Sequence, residues 1–184
     1  MEFSTNRRLA VIVLAVAFCL FTFIGVNRSL SDLADKIEQG FYDGVESKDG
    51  YTEKSVQSHL DNIIDAANGL VTLGSSGGAP SADKLSEARV SLIESRSVSD
   101  KFAGFESVVS LAKSVSDELL LSSRFPVNAD ALEYYTSTIE NAARAISQLS
   151  YNDKVDEYYG KTLKTFPVSI FGIFITADGP EYFK

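Results

Sequence analysis

Tryptophan is missing from this chain, and cysteine, histidine and methionine occur once each. One cysteine excludes a disulfide within the chain, so cysteine usage says nothing about the redox compartment. One histidine, His59, leaves no Glu-x-x-His pair of the kind a di-iron bundle uses. No HExxH, Walker loop, GxGxxG or GxSxG occurs either, so no familiar catalytic or nucleotide motif is present. His59 lies one position before an apolar seam residue, among polar neighbours, and reads as a surface or boundary histidine. The four prolines leave long stretches free to be helical, and no alternation of strand type runs beyond a few residues. Basic residues are also in deficit, 17 against 25 acidic ones. That balance speaks against nucleic acid and against a polybasic lipid patch.

What is present begins at the N-terminus. Arg7-Arg8 precedes LAVIVLAVAFCLFTFIGV, residues 9–26. As a helix this uncharged run is roughly 27 Å long, close to the thickness of a bilayer core. It reads as a transmembrane signal anchor behind a short tail, residues 1–8. A cleaved signal peptide is the competing reading, but Ala15-Val16-Ala17 lies inside the run and Phe23-Ile24 is a poor cleavage site. A lipoprotein would use Cys19, against the bulk of Phe18. The arginines before the anchor favour a cytoplasmic N-terminus and an extracytoplasmic body at the cell (inner) membrane. Without Arg7, Arg8 and Glu2, the remaining chain has nine more acidic than basic residues.

Residues 27–51 read as a stalk or first helix, with Leu30, Leu33, Ile37 and Phe41 on one face. Residues 52–184 read as the body. A helix is expected over about 52–73, capped by Thr52, with Val56, Leu60, Ile63, Ala67 and Leu70 as its seam. GSSGGAPS, residues 74–81, reads as a loop. The next helix is expected over about 82–123, with a break possible near Ser97-Val98-Ser99. Its seam is Leu85, Ala88 and Leu92, then Phe102, Phe105, Val109, Ala112, Val115 and Leu119. Phe125-Pro126 ends it. A last helix over about 129–165, capped by Asn128 or Asp130, carries Leu132, Tyr135, Ile139, Ala142, Ile146 and Leu149. That seam continues through Tyr151, Val155, Tyr159, Leu163 and Phe166. The fold class is therefore all-α, an antiparallel bundle of three or four long, coiled-coil-like helices with an N-terminal transmembrane helix.

Residues 166–184 form an apolar tail after Pro167, with Val168, Ile170, Phe171, Ile173, Phe174 and Ile175. Exposing them would cost about 1.5–3 kcal/mol each, so the bundle, the membrane interface or another chain must cover them. Tyr158, Tyr159, Phe171, Phe174, Tyr182 and Phe183 are the candidate partner-binding residues, since aromatic side chains anchor interfaces. The bland alternative is that the tyrosines pack in the bundle. The carboxylates read mainly as a solvated outer face.

Ala143-Arg144, Tyr151-Asn152, Val155, Tyr159, Leu163 and Phe166-Pro167 are followed by the apolar segment and by Tyr182-Phe183. This pattern resembles the C-terminal signature of the LemA family. Phe125-Pro126 resembles the family's Tyr-Pro between two long helices, while its second Tyr-Asn is Tyr159-Gly160 here. The resemblance covers roughly residues 102–184 and the anchor. It implies a bacterial, membrane-anchored helical bundle and no catalytic residue, and it carries the opposite topology as an alternative. The expected function is protein–protein interaction or scaffolding at the membrane, through a protein partner or self-association, without cofactor or metal. Two alternatives stand beside it. One is an accessory subunit or enzyme with a bundle-core site near His59, Asp61 and Glu140. The other is a membrane-shaping or envelope-stress factor.

Overall fold

A computed structural model describes residues 2–46, 50–121, 128–165, 168–171 and 178–184. The chain is all-α among these residues. In order, the helices are α1 (Glu2–Asp43), α2 (Val56–Gly77), α3 (Ala82–Glu94), α4 (Val98–Leu121), α5 (Ala129–Ile146), α6 (Tyr151–Gly160), a 3-10 turn (Thr162–Lys164) and α7 (Val168–Phe171). They fall into two compact units. One comprises residues 1–37 and 155–180, the other 38–154 and 181–184.

In the first unit, α1 is long and apolar enough to cross a membrane. Leu14, Phe18 and Phe21 are 70–76% exposed on it, so among the described residues no protein surface covers these side chains. Leaving each such side chain in water costs about 1.5–3 kcal/mol. Thr22 removes its own polar liability by donating its hydroxyl to the Phe18 carbonyl oxygen, 2.8 Å away. Further along α1 the pattern changes. Leu30 and Ala34 are buried with Tyr158 and Val168, and Val26, Leu33, Ile37 and Leu163 pack around them.

The second unit is a bundle of α2, α3, α4 and α5, in which α2 packs against all three others. The seam expected on α2 is the seam observed: Val56, Leu60, Ile63, Ala67 and Leu70 are all buried. Leu85 and Leu92 of α3, Val108, Ala112, Val115 and Leu119 of α4, and Leu132, Ile139 and Ala142 of α5 complete the core. Val108 rather than Val109 is the fully buried valine.

Several boundaries depart from the expectation. The N-cap of α2 is Ser55, whose hydroxyl accepts from the Ser58 N–H at 3.0 Å, and not Thr52. Helix α2 also continues through Gly74 to Gly77 before Gly78 turns left-handed at φ 74° and ends it. Asn128 occupies the N-cap of α5 without a side-chain cap bond. Phe125-Pro126 and Phe166-Pro167 lie outside the described residues.

The helix expected over 82–123, with a possible break near Ser97-Val98-Ser99, is divided there. It is a hairpin: α3 and α4 are separate helices packed on each other across a three-residue turn, residues 95–97. Ser95 leaves the helical region at φ −62°, ψ 130°. Ser97 then opens α4, its hydroxyl accepting from the Asp100 N–H at 3.0 Å. Gly104 lets the two helices close, since a Cβ there would stand 3.1 Å from the Leu92 Cα. The expected helix over 129–165 is likewise divided, into α5, α6 and the 3-10 turn. After Ile146 the Gln148 and Leu149 N–H groups bond three residues back, tightening the end of α5.

The restarted helices share one device. Glu118 of α4 accepts from the Ser81 N–H at 2.9 Å and from its hydroxyl at 2.6 Å, just ahead of α3. Glu53 does the same for Ser150 ahead of α6, at 2.9 and 2.7 Å. Glu181 accepts from the Ser99 N–H in the first turn of α4, at 3.0 Å. Each carboxylate satisfies otherwise unpaired amides at the positive end of a helix.

Candidate functional site

The residues singled out in the sequence divide between the two units. Tyr158 is buried in the first unit and Phe183 in the second, 2% and 4% exposed. Both are packing residues in their own unit and present almost no surface to a partner. Tyr159 is 38% exposed, although its hydroxyl donates to the Pro180 carbonyl oxygen at 3.2 Å. The seam of α6 thus runs Tyr151, Val155, Tyr158, and Tyr159 falls beside it. Burial, and then the neighbouring Tyr159, raise the Tyr158 hydroxyl above its ordinary pKa. Tyr182 is half-buried, with the Lys184 ammonium 3.6 Å from its ring centroid. Phe171 ends α7, and its side chain lies outside the described residues, as does the whole of Phe174.

The C-terminal tetrapeptide is gripped within the second unit. Asn152 donates Nδ2–H to the Phe183 carbonyl at 2.8 Å and accepts the Phe183 N–H on Oδ1 at 2.9 Å. One amide thus pairs both backbone groups of one residue, as a neighbouring strand would. The Tyr151 hydroxyl donates to the Glu181 carbonyl at 2.7 Å, and the Glu181 N–H donates to Glu38 Oε1 at 3.2 Å. The Phe183 ring sits among Phe41, Phe102 and Phe105, with centroids 5.6, 5.1 and 5.5 Å away. Tyr151 meets Phe41 edge-on at 5.5 Å. The Tyr151-Asn152 pair noted in the sequence therefore fastens the aromatic end of the chain.

Two concavities lie in the second unit. A broad cleft of about 1130 Å³ runs along α3 and α4. Half-buried Ala88 and Gly104 lie in it, and exposed Asp83, Glu87, Glu94, Arg96 and Asp100 also line it. A smaller cavity of about 180 Å³ is bounded by α2, α3 and the start of α4. Gln57, Asp61 and Lys101 supply its polar groups. Lys101 is 8% exposed, a lysine whose burial sequence spacing did not mark. The Gln57 Nε2–H donates to Asp61 Oδ1 at 2.7 Å, while its Oε1 is buried without a donor.

Of the residues considered for a bundle-core site, only Asp61 lines this cavity. His59 is half-buried elsewhere on α2, and Glu140 is exposed on α5. Burial, and then the Lys54 ammonium, hold the His59 pKa below its ordinary value. Among the described residues no three His, Cys, Asp or Glu side chains are grouped to hold a metal ion. No protein-family model, curated protein or solved structure matches this chain.

Proposed function

We propose that this chain is a membrane-anchored interaction module of the LemA type, which docks a protein partner at the cell membrane. The observation that carries the reading is the open cleft along α3 and α4, on a chain whose N-terminal helix is apolar and uncovered. A partner entering the cleft meets four carboxylates and one guanidinium, so complementary charge on the partner is basic. The signature around Tyr151-Asn152 and the aromatic C-terminus supports the family reading. The two arginines before the anchor support a cytoplasmic N-terminus and an extracytoplasmic body.

Cross-linking in native membranes, followed by mild-detergent purification of the full chain, tests this reading. A stoichiometric protein partner is expected, and the double change Glu87→Lys, Glu94→Lys should release it while both exposed positions leave the fold intact. Recovery of the chain with no partner, or a partner indifferent to the double change, overturns the reading. Protease protection in spheroplasts checks the orientation, and a body shielded until lysis reverses it.

A further inference from the structure

A concavity of about 550 Å³ lies on α1 where the uncharged run ends, wholly within the first unit. Its lining changes character along the helix. Phe23 and Ile24 come first, Arg28 follows one turn on, and Asp32 and Asp35 come after it. Asp178 adds a third carboxylate. Ile24, Arg28, Asp32 and Asp35 are spaced 4, 4 and 3 residues apart, so they share one face of α1. The guanidinium and the three carboxylates belong to exposed residues, and no ion pair joins them among the described residues.

With residues 9–26 in the hydrocarbon layer, Arg28 stands about 3 Å beyond its edge and Asp32 about 9 Å beyond it. The headgroup layer is roughly 5–8 Å deep on each side, and side chains lean toward the helix N-terminus, here toward the membrane. The order along α1, apolar then cationic then anionic, is the order of a zwitterionic phospholipid: acyl chain, phosphate, ammonium. The rise of about 6 Å from Arg28 to Asp32 suits a phosphate and an amine joined by a short linker. Three carboxylates against one guanidinium repel an anionic headgroup. They also favour an ammonium that donates hydrogen bonds over a quaternary one that cannot. We propose that this site binds a phosphatidylethanolamine, its phosphate on Arg28, its ammonium on Asp32, Asp35 and Asp178, and an acyl chain against Phe23 and Ile24. Such a site rests on α1 being a membrane anchor and not on the partner cleft.

Flotation of the full chain with phosphatidylcholine vesicles first checks the anchor, and a chain that stays at the bottom of the gradient overturns anchor and site together. A chain that floats is then taken, in mild detergent, to native mass spectrometry with equimolar dioleoyl phosphatidylethanolamine, phosphatidylcholine and phosphatidylglycerol. Retention of one phosphatidylethanolamine is expected, about tenfold over either competitor. Asp32→Asn with Asp35→Asn should erase that preference, and Arg28→Gln should weaken retention of the ethanolamine lipid. All three positions are exposed, so the fold should survive each change. Equal retention of the three lipids, preference for either competitor, retention of none, or a preference unchanged in the carboxylate variant overturns the site and leaves the anchor standing. Excess soluble phosphoethanolamine should not displace the lipid, since it lacks the acyl chains; displacement identifies a free headgroup as the ligand and overturns the lipid assignment.

Discussion

Phe183→Ala is the perturbation that most directly tests how the end of the chain is held. The ring is 4% exposed and lies within 5.1–5.6 Å, centroid to centroid, of three other phenylalanines. Removing a buried Phe side chain costs about 3–5 kcal/mol, because the lost transfer energy is joined by an unfilled cavity. For a chain of this length each kcal/mol moves the melting temperature by about 2–4 °C, so the expected fall is roughly 6–20 °C. Thermal unfolding of the full chain in mild detergent, followed by far-ultraviolet circular dichroism, reads it directly. Asn152→Ala, which removes two hydrogen bonds to the same residue, should cost about 1–3 kcal/mol. The two changes act through one tetrapeptide, so their effects in the double variant should fall short of the sum. A shift in Phe183→Ala under about 1 kcal/mol, or strict additivity, would refute the reasoning that this tail is seated in the bundle.

Two further outcomes follow from the same geometry. Glu118→Ala strips α3 of the carboxylate that serves both the amide and the hydroxyl of Ser81. It should cost about 1–2 kcal/mol in the same melting assay, comparable to losing a strong N-cap, and Glu118→Asp should not restore it fully because the shorter side chain cannot reach both groups. His59 binds a proton less readily folded than unfolded. As pH falls below about 6.5, the unfolded state holds more protons, so stability drops with acidification and returns as pH rises. His59→Gln should flatten that part of the stability profile, and an unchanged slope would show that the imidazole does not contribute.

The fold class was legible because its signals are local and repeated. The uncharged run over 9–26 needs no tertiary context, and a seam such as Val56, Leu60, Ile63, Ala67 and Leu70 follows from helical periodicity alone. What escaped was decided at a distance. A break near Ser97 was visible as a possibility, but that the two halves fold back on each other rests on the packing of Leu92 on Gly104. The division at residues 147–150 depends on Glu53, 97 positions away. The assignment of Tyr159 to the seam failed by one residue within α6: Tyr151 and Val155 are buried as expected, and the next buried position follows three residues on, at Tyr158, rather than four. Lys101 carried no sign of burial, since a lysine in a polar stretch reads as solvent-facing. The aromatic C-terminus was visible as apolar matter needing cover, but its partners Phe41, Phe102 and Phe105 are spread along the chain.

The placement of the capping carboxylates also bears on the order in which the protein can be completed. Glu181 serves an amide at Ser99, 82 positions earlier. Phe183 fills the space among aromatic rings contributed by α1 and α4. A chain is made from its N-terminus forward, and folding begins on the part already synthesised. Helix α4 can coil and meet α2 and α3 as soon as it leaves the ribosome. Its first turn and the aromatic cluster must wait until residues 181–183 have been made and have emerged in their turn. These two sites are therefore completed by the arrival of a short peptide long after they are built, and a chain cut back to Pro180 would leave both open.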